Sequence, residues 1–508
     1  MESEKTLSFF QSRQTPFSSP FFLFFFTILI PLLSFFLFSL RHKIWCNCNT
    51  CRSCITSSWS KDFDNLCDWY THLLQKSRTQ TIHIHVLGNT ITANPSNVEH
   101  ILKTRFDNYP KGEPFSMILG DLLGHGIFNV DGNLWRFQRK MASLELGSVF
   151  VRSSAFDNVA TEIKTRLIPL LYSVAGKNEG VLDLQDVFRR FSFDNICKFS
   201  FGLDPGCLEL TLPISHFAHS FDLATKLSAE RAMAASQWIW KIKRVLNIGS
   251  ERKLREAIHQ INILAKEVIK QRRKLAFSTN QNLLSRFVAI TDNESYLRDI
   301  VISFILAGRD TVASALTSFF WLLANHSEVE LKIRDELDQR IQENQDFATL
   351  EQIRHLHYLH AAISESMRLY PPIQFDSKFA QEDDTLPDGT FVKKGTRVTY
   401  HPYAMGRMEA IWGPDFMEFK PERWLKSGTF CPQCPYKYPV FQAGIRVCLG
   451  KELALVEMKS VAVAVLQRFE IKVDRVGYAA IRFEPGLTAT MKGGLPVVVK
   501  ERSTHAGP

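Results

Sequence analysis

Past about residue 61 the chain has no Gly/Ser-rich linker, no block of like charge and no internal repeat. Their absence excludes repeat arrays and strings of small modules. By length alone, 508 residues would suggest about three domains. The even composition favours one large domain instead. Tyr and Trp are scarce beside Phe, 11 and 9 against 40. Phe has a large apolar area and no hydrogen-bonding atom, so this excess favours a dry interior or lipid. The rest is ordinary, 45% apolar and 22% charged, which excludes a mainly disordered, collagenous or coiled-coil chain. The +9 balance suits nucleic acid, an anionic membrane surface or an acidic partner and does not choose among them.

Charge is absent from residues 21–40, FFLFFFTILIPLLSFFLFSL, where eight of twenty residues are Phe. Twenty residues in a helix span about 30 Å, the thickness of a bilayer core. Pro31 can kink such a helix without forbidding it. No small-x-small cleavage site follows, so an uncleaved anchor is expected rather than a signal peptide. Before the run Glu2 and Glu4 offset Lys5 and Arg13; after it come Arg41, Lys43 and Arg52, with no acid until Asp62. Positive charge stays cytosolic. The expected order is a luminal segment (1–20), a single transmembrane anchor (21–40), a Cys-rich juxtamembrane linker (41–60) and a cytosolic domain (61–503). The final STHAGP is not an ER-retrieval tetrapeptide.

Cys46, Cys48, Cys51 and Cys54 form C-x-C-x2-C-x2-C beside the anchor. A zinc clip and reversible palmitoylation are alternatives to four free thiols. A four-thiolate knuckle usually joins two separated C-x2-C pairs, so free thiols are expected. Cys431 and Cys434 form another C-x2-C, read as a loop. Thr81–Val86 alternates like a strand, and Gly88-Asn89 can turn it into a second near 90–93. His83 and His85 would share one strand face as a polar face. Asn94-Pro95 reads as an N-cap and first helical residue. Helical periodicity dominates 155–345, and short strands return near 390–400 and after 470. The fold class is mainly α with minor β.

The strongest chemical signal is FQAGIRVCLG, Phe441 to Gly450. Gly444 and Gly450 bracket Cys448, and helical pattern resumes at once. A thiol before a helix N-terminus meets unpaired N–H groups and a positive dipole end, both of which favour thiolate. Such a thiolate can ligate iron. Phe441, Gly444, Arg446, Cys448 and Gly450 match F-x-x-G-x-R-x-C-x-G at every fixed position, and here the chain resembles the cytochrome P-450 family. The resemblance covers about residues 60–500. It implies the P-450 fold, one large haem domain behind one transmembrane helix, with Cys448 as the axial thiolate of haem b.

Other stretches agree. AGRDTV, 307–312, interrupts an apolar helix with polar residues. It resembles the family's oxygen-activating segment, with Val312 where Thr or Ser is common. Carried over, Thr311 would hydrogen-bond the O2 substrate and Asp310 would feed protons. Glu-x-x-Arg occurs twice, as Glu351/Arg354 and Glu365/Arg368. ESMRLYPP favours the second, and with Arg423 of PERW it would brace the haem loop as a buried charge cluster. His355, His357 and His360 lie in the approach to that helix and are expected as surface or capped residues. Trp135 and Arg139, with Arg446, would bind haem propionates, and Lys378 is a further partner. A Pro-rich hinge after the anchor, usual in microsomal members, is replaced by RHKIWCNCNTCRSC.

NYPKGEPF, DLLGHGIFNVDGNLWRFQRK, FRRFSFDNICKFSFG, PPIQFDSKFA and LPDGTFVKKGTRVTYHPYAMGRMEAIWG resemble the plant fatty-acid ω-hydroxylases. The Cys-rich N-terminus and SSWSKDFDNLCDWYTHLL resemble the subgroup that oxidises jasmonoyl-isoleucine at C-12 to the carboxylic acid. The alternative is ω-hydroxylation of medium- or long-chain fatty acids. An enzyme reaching a terminal carbon must hold the chain end-on. By family position Phe115, Ile118, Phe304, Ala307, Phe375, Leu487 and Thr488 would shape that slot, Lys111 would anchor a carboxylate at its mouth, and Trp238 and Trp240 could dip into lipid. The resemblance further implies an endoplasmic-reticulum membrane protein using O2 and NADPH electrons through a reductase. That reductase would dock on Arg136, Arg139, Lys140 and Lys451. Membrane lipid and a small lipid or hormone conjugate are the other expected partners, with no role for nucleic acid. A hydroperoxide isomerase is disfavoured by Thr311, and a non-catalytic haem protein by Asp310-Thr311. A zinc-binding membrane adaptor would leave about 450 residues unexplained.

Overall fold

The computed structural model describes residues 20–44, 46, 48–147, 149–176, 180–208, 216–234, 237–274, 283–341, 347–474 and 481–502. Glu2, Glu4, Lys5 and Arg13, used above to orient the anchor, lie outside them.

Helix α1 (Pro20–Ile44) has 25 residues, roughly 37 Å of helix. Every side chain from 26 to 38 is exposed. The second long apolar helix, Glu294–Ala324, is mostly buried and belongs to the core. The Cys-rich tract after α1 is not an open tether. Residues Asn49–Thr56 form α2, capped by Cys48, whose sulfur accepts the Cys51 N–H at 3.4 Å. Cys51 is fully buried in a cluster with Trp69, Ile84, Ile91 and Tyr400.

Strands β1 (Thr81–Ile84) and β2 (Asn89–Thr92) form an antiparallel hairpin, with Gly88 at φ +53°. The expected strand through Val86 stops two residues early, because His85–Leu87 winds into a 3-10 turn. His83 and His85 therefore do not share a strand face. His83 Nδ1 meets Thr90 Oγ1 at 2.9 Å across the hairpin, and the His85 ring sits edge-on to it. Asn94 caps the following helix as expected, its Oδ1 accepting the Ser96 N–H at 2.9 Å.

Five further helices and two strands position the site. They are α3 (Gly132–Leu146), α4 (Leu184–Phe201), α5 (Glu294–Ala324), α6 (His357–Leu369) and α7 (Lys451–Arg468), with β3 (Asp376–Phe379) and β4 (Arg397–Tyr400). The sheet order is β1-β2-β4-β3, with β2 and β4 parallel and the other pairs antiparallel. Helix α5 runs through the core with Phe on both sides; Phe320 stacks on Phe188 of α4 at 5.4 Å. Its middle, Leu306–Asp310, opens into a π turn. A Cβ at Gly308 would overlap Ile196 of α4, so the two backbones can approach only with glycine there. Thr311 Oγ1 donates to the Ala307 carbonyl at 2.6 Å, competing with the helical ladder at the same place.

Candidate active site

Cys448 lies on the loop before α7, as its glycine bracket predicts. Its N–H donates to the Phe441 carbonyl at 2.8 Å, closing the loop, and Val447 N–H reaches Gly444 at 3.2 Å. Gly444 has φ +63°, and a Cβ there would overlap the Leu102 carbonyl. Gly450 has an ordinary φ and caps α7. Burial pushes the Cys448 thiol above its usual range. The Gly450 N–H, Arg139 and Lys451 favour the thiolate, in the sense the loop predicts, without overcoming burial. A cation at the sulfur has to supply the remainder.

The sulfur opens onto a cavity of roughly 470 Å3. Ala307, Gly308 and Thr311 of α5 form another part of its wall. Asp310 does not line it. Successive helical residues point about 100° apart, so Asp310 turns away from the face that carries Thr311. It accepts from Arg309 Nη1 at 3.0 Å, and Arg309 also donates to Asp222 at 2.6 Å. Burial raises the Asp310 pKa, with Arg309 pulling against it. The acid and hydroxyl expected side by side are therefore one residue apart in sequence but on different faces.

One end of the cavity is basic. Trp135 is buried on α3 with the Arg446 guanidinium over its ring at 4.4 Å. Arg139 donates to the Val447 carbonyl at 2.6 Å, and Arg446 to Asp131 at 2.6 Å. Lys378 on β3 lies 3.4 Å from Asp376. Lys111 also pairs with Asp376 in the buried cavity wall, so it is not the mouth anchor expected for a carboxylate. Burial works against the Asp376 carboxylate, but Lys111 and Lys378 outweigh it and hold its pKa well below the usual range. Burial drives the Lys378 ammonium pKa well down, and Asp376 offsets only part of that.

These residues fit haem b. A thiol faces the cavity, and beside it Lys111, Arg139, Lys378 and Arg446 formally meet only two carboxylates, Asp131 and Asp376. The surplus of two positive charges suits two propionates, which would return to Lys378 the charge that burial takes away. Gln374 lines the same cavity with Nε2 buried and without a hydrogen-bond partner.

Behind the loop, α6 carries the Glu-x-x-Arg pair. Arg368 donates to both Glu365 oxygens at 2.8 Å, and Arg423 donates to Glu365 at 3.2 Å. Arg368 further holds the Phe416 and Glu418 carbonyls, and Arg423 those of Trp412 and Asp415. Trp424 Nε1 adds a donor to Glu365 at 2.8 Å, a partner that sequence reasoning missed. The competing Glu351/Arg354 motif lies on a short surface helix, where Glu351 meets His355 at 2.8 Å. His360 stacks flat on Phe430 at 3.7 Å; burial lowers its pKa to about 3. The three histidines form no metal cluster among the described residues.

Phe115, Ile118, Phe304, Ala307, Phe375, Leu487 and Thr488 all line the cavity. So does Arg397 of β4, which sequence reasoning did not single out. It donates to Ser377 Oγ at 2.9 Å and to the Ala232 carbonyl at 3.0 Å, bridging the sheet to the end of helix His216–Met233. Among the described residues no carboxylate lies in ion-pair distance of it, and burial lowers its pKa. On helix Gln237–Leu246 Trp238 is exposed, but Trp240 is buried beneath Arg231 and does not face outward.

The cytochrome P450 family model matches residues 69–494. The chain is 61% identical to cytochrome P450 94C1 of Arabidopsis thaliana over 486 residues, covering 94% of this chain and 98% of that one. It is 48% identical to cytochrome P450 94B1 of the same plant, over 88% of this chain and 89% of that one. Identity to cytochrome P450 94A1 of Vicia sativa is 43%, again over 88% of this chain and 89% of that one. With a cavity thiol, a propionate-like basic end and a match of this extent, the chain belongs to the cytochrome P450 family and is a monooxygenase that uses haem b, O2 and electrons drawn from NADPH through a reductase.

Proposed function

We propose that this monooxygenase oxidises the terminal carbon of a carboxylate-bearing lipid, taking jasmonoyl-isoleucine or its 12-hydroxy form to the 12-carboxy form. The observation that carries the reading is Arg397, a cavity-lining guanidinium with no acidic partner among the described residues. The wall around it is largely apolar, with Phe115, Phe304 and Phe375 narrowing the space. An anionic head fixed at Arg397 leaves the far end of a chain free to point toward Cys448. The Cys-rich N-terminus and SSWSKDFDNLCDWYTHLL, which resemble the jasmonoyl-isoleucine subgroup, support the hormone conjugate over a plain fatty acid.

Haem held by Cys448 supplies reductive activation of O2 and insertion of one oxygen atom into a C–H bond. The protein supplies position and protons. Thr311 spends its own proton on the Ala307 carbonyl and so presents an accepting oxygen to the cavity. Asp310, buried on another face and paired with Arg309, would have to turn toward the cavity to supply a proton there. Thr311→Ala is expected to keep haem and NADPH consumption while product per NADPH falls several-fold, read as peroxide release against product formed. Unchanged coupling removes Thr311 from proton delivery.

The deciding experiment is turnover with NADPH and a reductase on lauric acid, 12-hydroxy-jasmonoyl-isoleucine and jasmonoyl-isoleucine, followed by mass spectrometry. Preference for lauric acid overturns the hormone reading. Arg397→Gln should raise KM for the free acid about 10- to 100-fold, the worth of a charge-assisted hydrogen bond, and leave that for the methyl ester unchanged. Equal KM changes for acid and ester would remove Arg397 as the anchor.

In this reading α1 anchors the enzyme in the endoplasmic-reticulum membrane with the catalytic domain cytosolic. Exposed Trp238, Ile239, Ile242 and Val245 support contact of a second helix with lipid. Arg136 and Lys140 are exposed on α3 beside exposed Leu134 and Phe137, which supports reductase docking on that face.

A further inference from the structure

Cys46, Cys48, Cys51 and His85 come together where α1 gives way to the catalytic domain. One ligand atom from each lies within 4.8 Å of all the others. Three thiols and one imidazole are a structural zinc set. One separation already has the tetrahedral value, and the others, all within 4.8 Å, need close by no more than about 1 Å. With Zn–S near 2.3 Å and Zn–N near 2.05 Å, ligand atoms on one ion stand about 3.6–3.8 Å apart. Cys46 Sγ and His85 Nδ1 are 3.6 Å apart.

A second observation is independent of that distance. Cys48 and Cys51 are a C-x2-C pair on the first turn of α2, and the Cys51 N–H already donates to the Cys48 sulfur at 3.4 Å. Such a bond orients a ligand sulfur before any ion arrives. Cys51 is held rigidly from below by the core that contains Ile84 and Ile91. His85 is presented by the 3-10 turn that ends β1 early. Had β1 continued through Val86, His85 would have remained in the hairpin ladder. Cys54, although part of the sequence motif, lies outside the group.

We propose that these four residues bind one zinc ion, which clips the membrane-proximal segment to the β1–β2 hairpin. Cys46 lies two residues beyond α1, and His85 lies 39 residues further along the chain. An ion shared between them fixes the exit direction of the anchor relative to the sheet. It does so in a chain that lacks a Pro-rich hinge at this place. The ion is structural, because four protein ligands leave no open position.

The test uses full-length holoenzyme prepared under reducing, chelator-free conditions. Metal analysis is expected to give one zinc per haem iron. Zinc-edge X-ray absorption, to which haem iron is silent, should give three sulfurs at about 2.3 Å and one nitrogen at about 2.0–2.1 Å. Cys48→Ala and His85→Gln, both at exposed positions, should each cut zinc retained after dialysis by about 10-fold or more, with the reduced CO spectrum unchanged as evidence of an intact haem domain. The Cys431→Ser/Cys434→Ser variant should keep its zinc. If either single variant loses its haem, zinc-edge data on the unmodified protein decide by ligand count alone. Absence of zinc, a disulfide among the three cysteines, an acyl thioester on them, copper in place of zinc, or zinc indifferent to both single variants overturns the proposal.

Discussion

Cys448→Ala is expected to reduce turnover to background and to remove the thiolate-ligated band from the reduced CO spectrum. No other described cysteine can replace it. Cys197 is buried with Phe193 and Phe201 on α4, and none of the other described cysteines lines the cavity. Burial holds the thiol above its usual pKa, and an iron bound at the sulfur would favour its ionised form. The same variant at the neighbouring signature position, Gly444→Ala, acts through shape: its Cβ meets the Leu102 carbonyl, and the loop must shift. Persistence of the thiolate band in Cys448→Ala would remove the central assignment.

Glu365→Ala is expected to cost about 3–5 kcal/mol, the penalty for leaving buried cations without their counter-charge. Glu365 and Arg368 are fully buried, and Arg423 nearly so. Three side-chain donors, from Arg368, Arg423 and Trp424, converge on one carboxylate. Those arginines in turn hold four loop carbonyls between Trp412 and Glu418. Denaturant midpoints followed by haem absorbance measure the effect, and haem loss should precede secondary-structure loss. A midpoint within experimental error of the unmodified protein would show that the cluster does not brace the loop. Glu365→Asp, which keeps the charge and shortens the reach, should fall between the two.

Much of the site was legible along the chain because its chemistry comes in short motifs. Phe441 to Gly450 carries the loop, the thiol and the arginine within ten residues. Glu365 and Arg368 lie one helical turn apart and therefore share a face. The residues that the chain alone misplaced are those whose surroundings come from distant segments. Asp310 looked like a partner of Thr311 and is one residue away, yet Arg309, itself bonded to Asp222, pairs with it on another face. Lys111 looked like a free cation and is consumed by Asp376, 265 residues on. Arg397 carried no signal, because its meaning lies in having no described carboxylate within ion-pair distance, which no local pattern encodes. Trp238 and Trp240 read alike in QWIWKIKR, and only one is exposed.

The sequence by itself determined the apolar segment ahead of the catalytic domain, the mainly helical class, the thiol loop and the oxygen-helix hydroxyl. Each depends on residues within one or two turns of each other, where periodicity and spacing dictate geometry. Tertiary structure alone decided which cations are spent on internal carboxylates and which face the cavity. It also decided that His85 meets the cysteines rather than His83. The physical reason is the same in every case. Burial and ion pairing depend on what packs around a group, and those neighbours arrive from tens to hundreds of residues away.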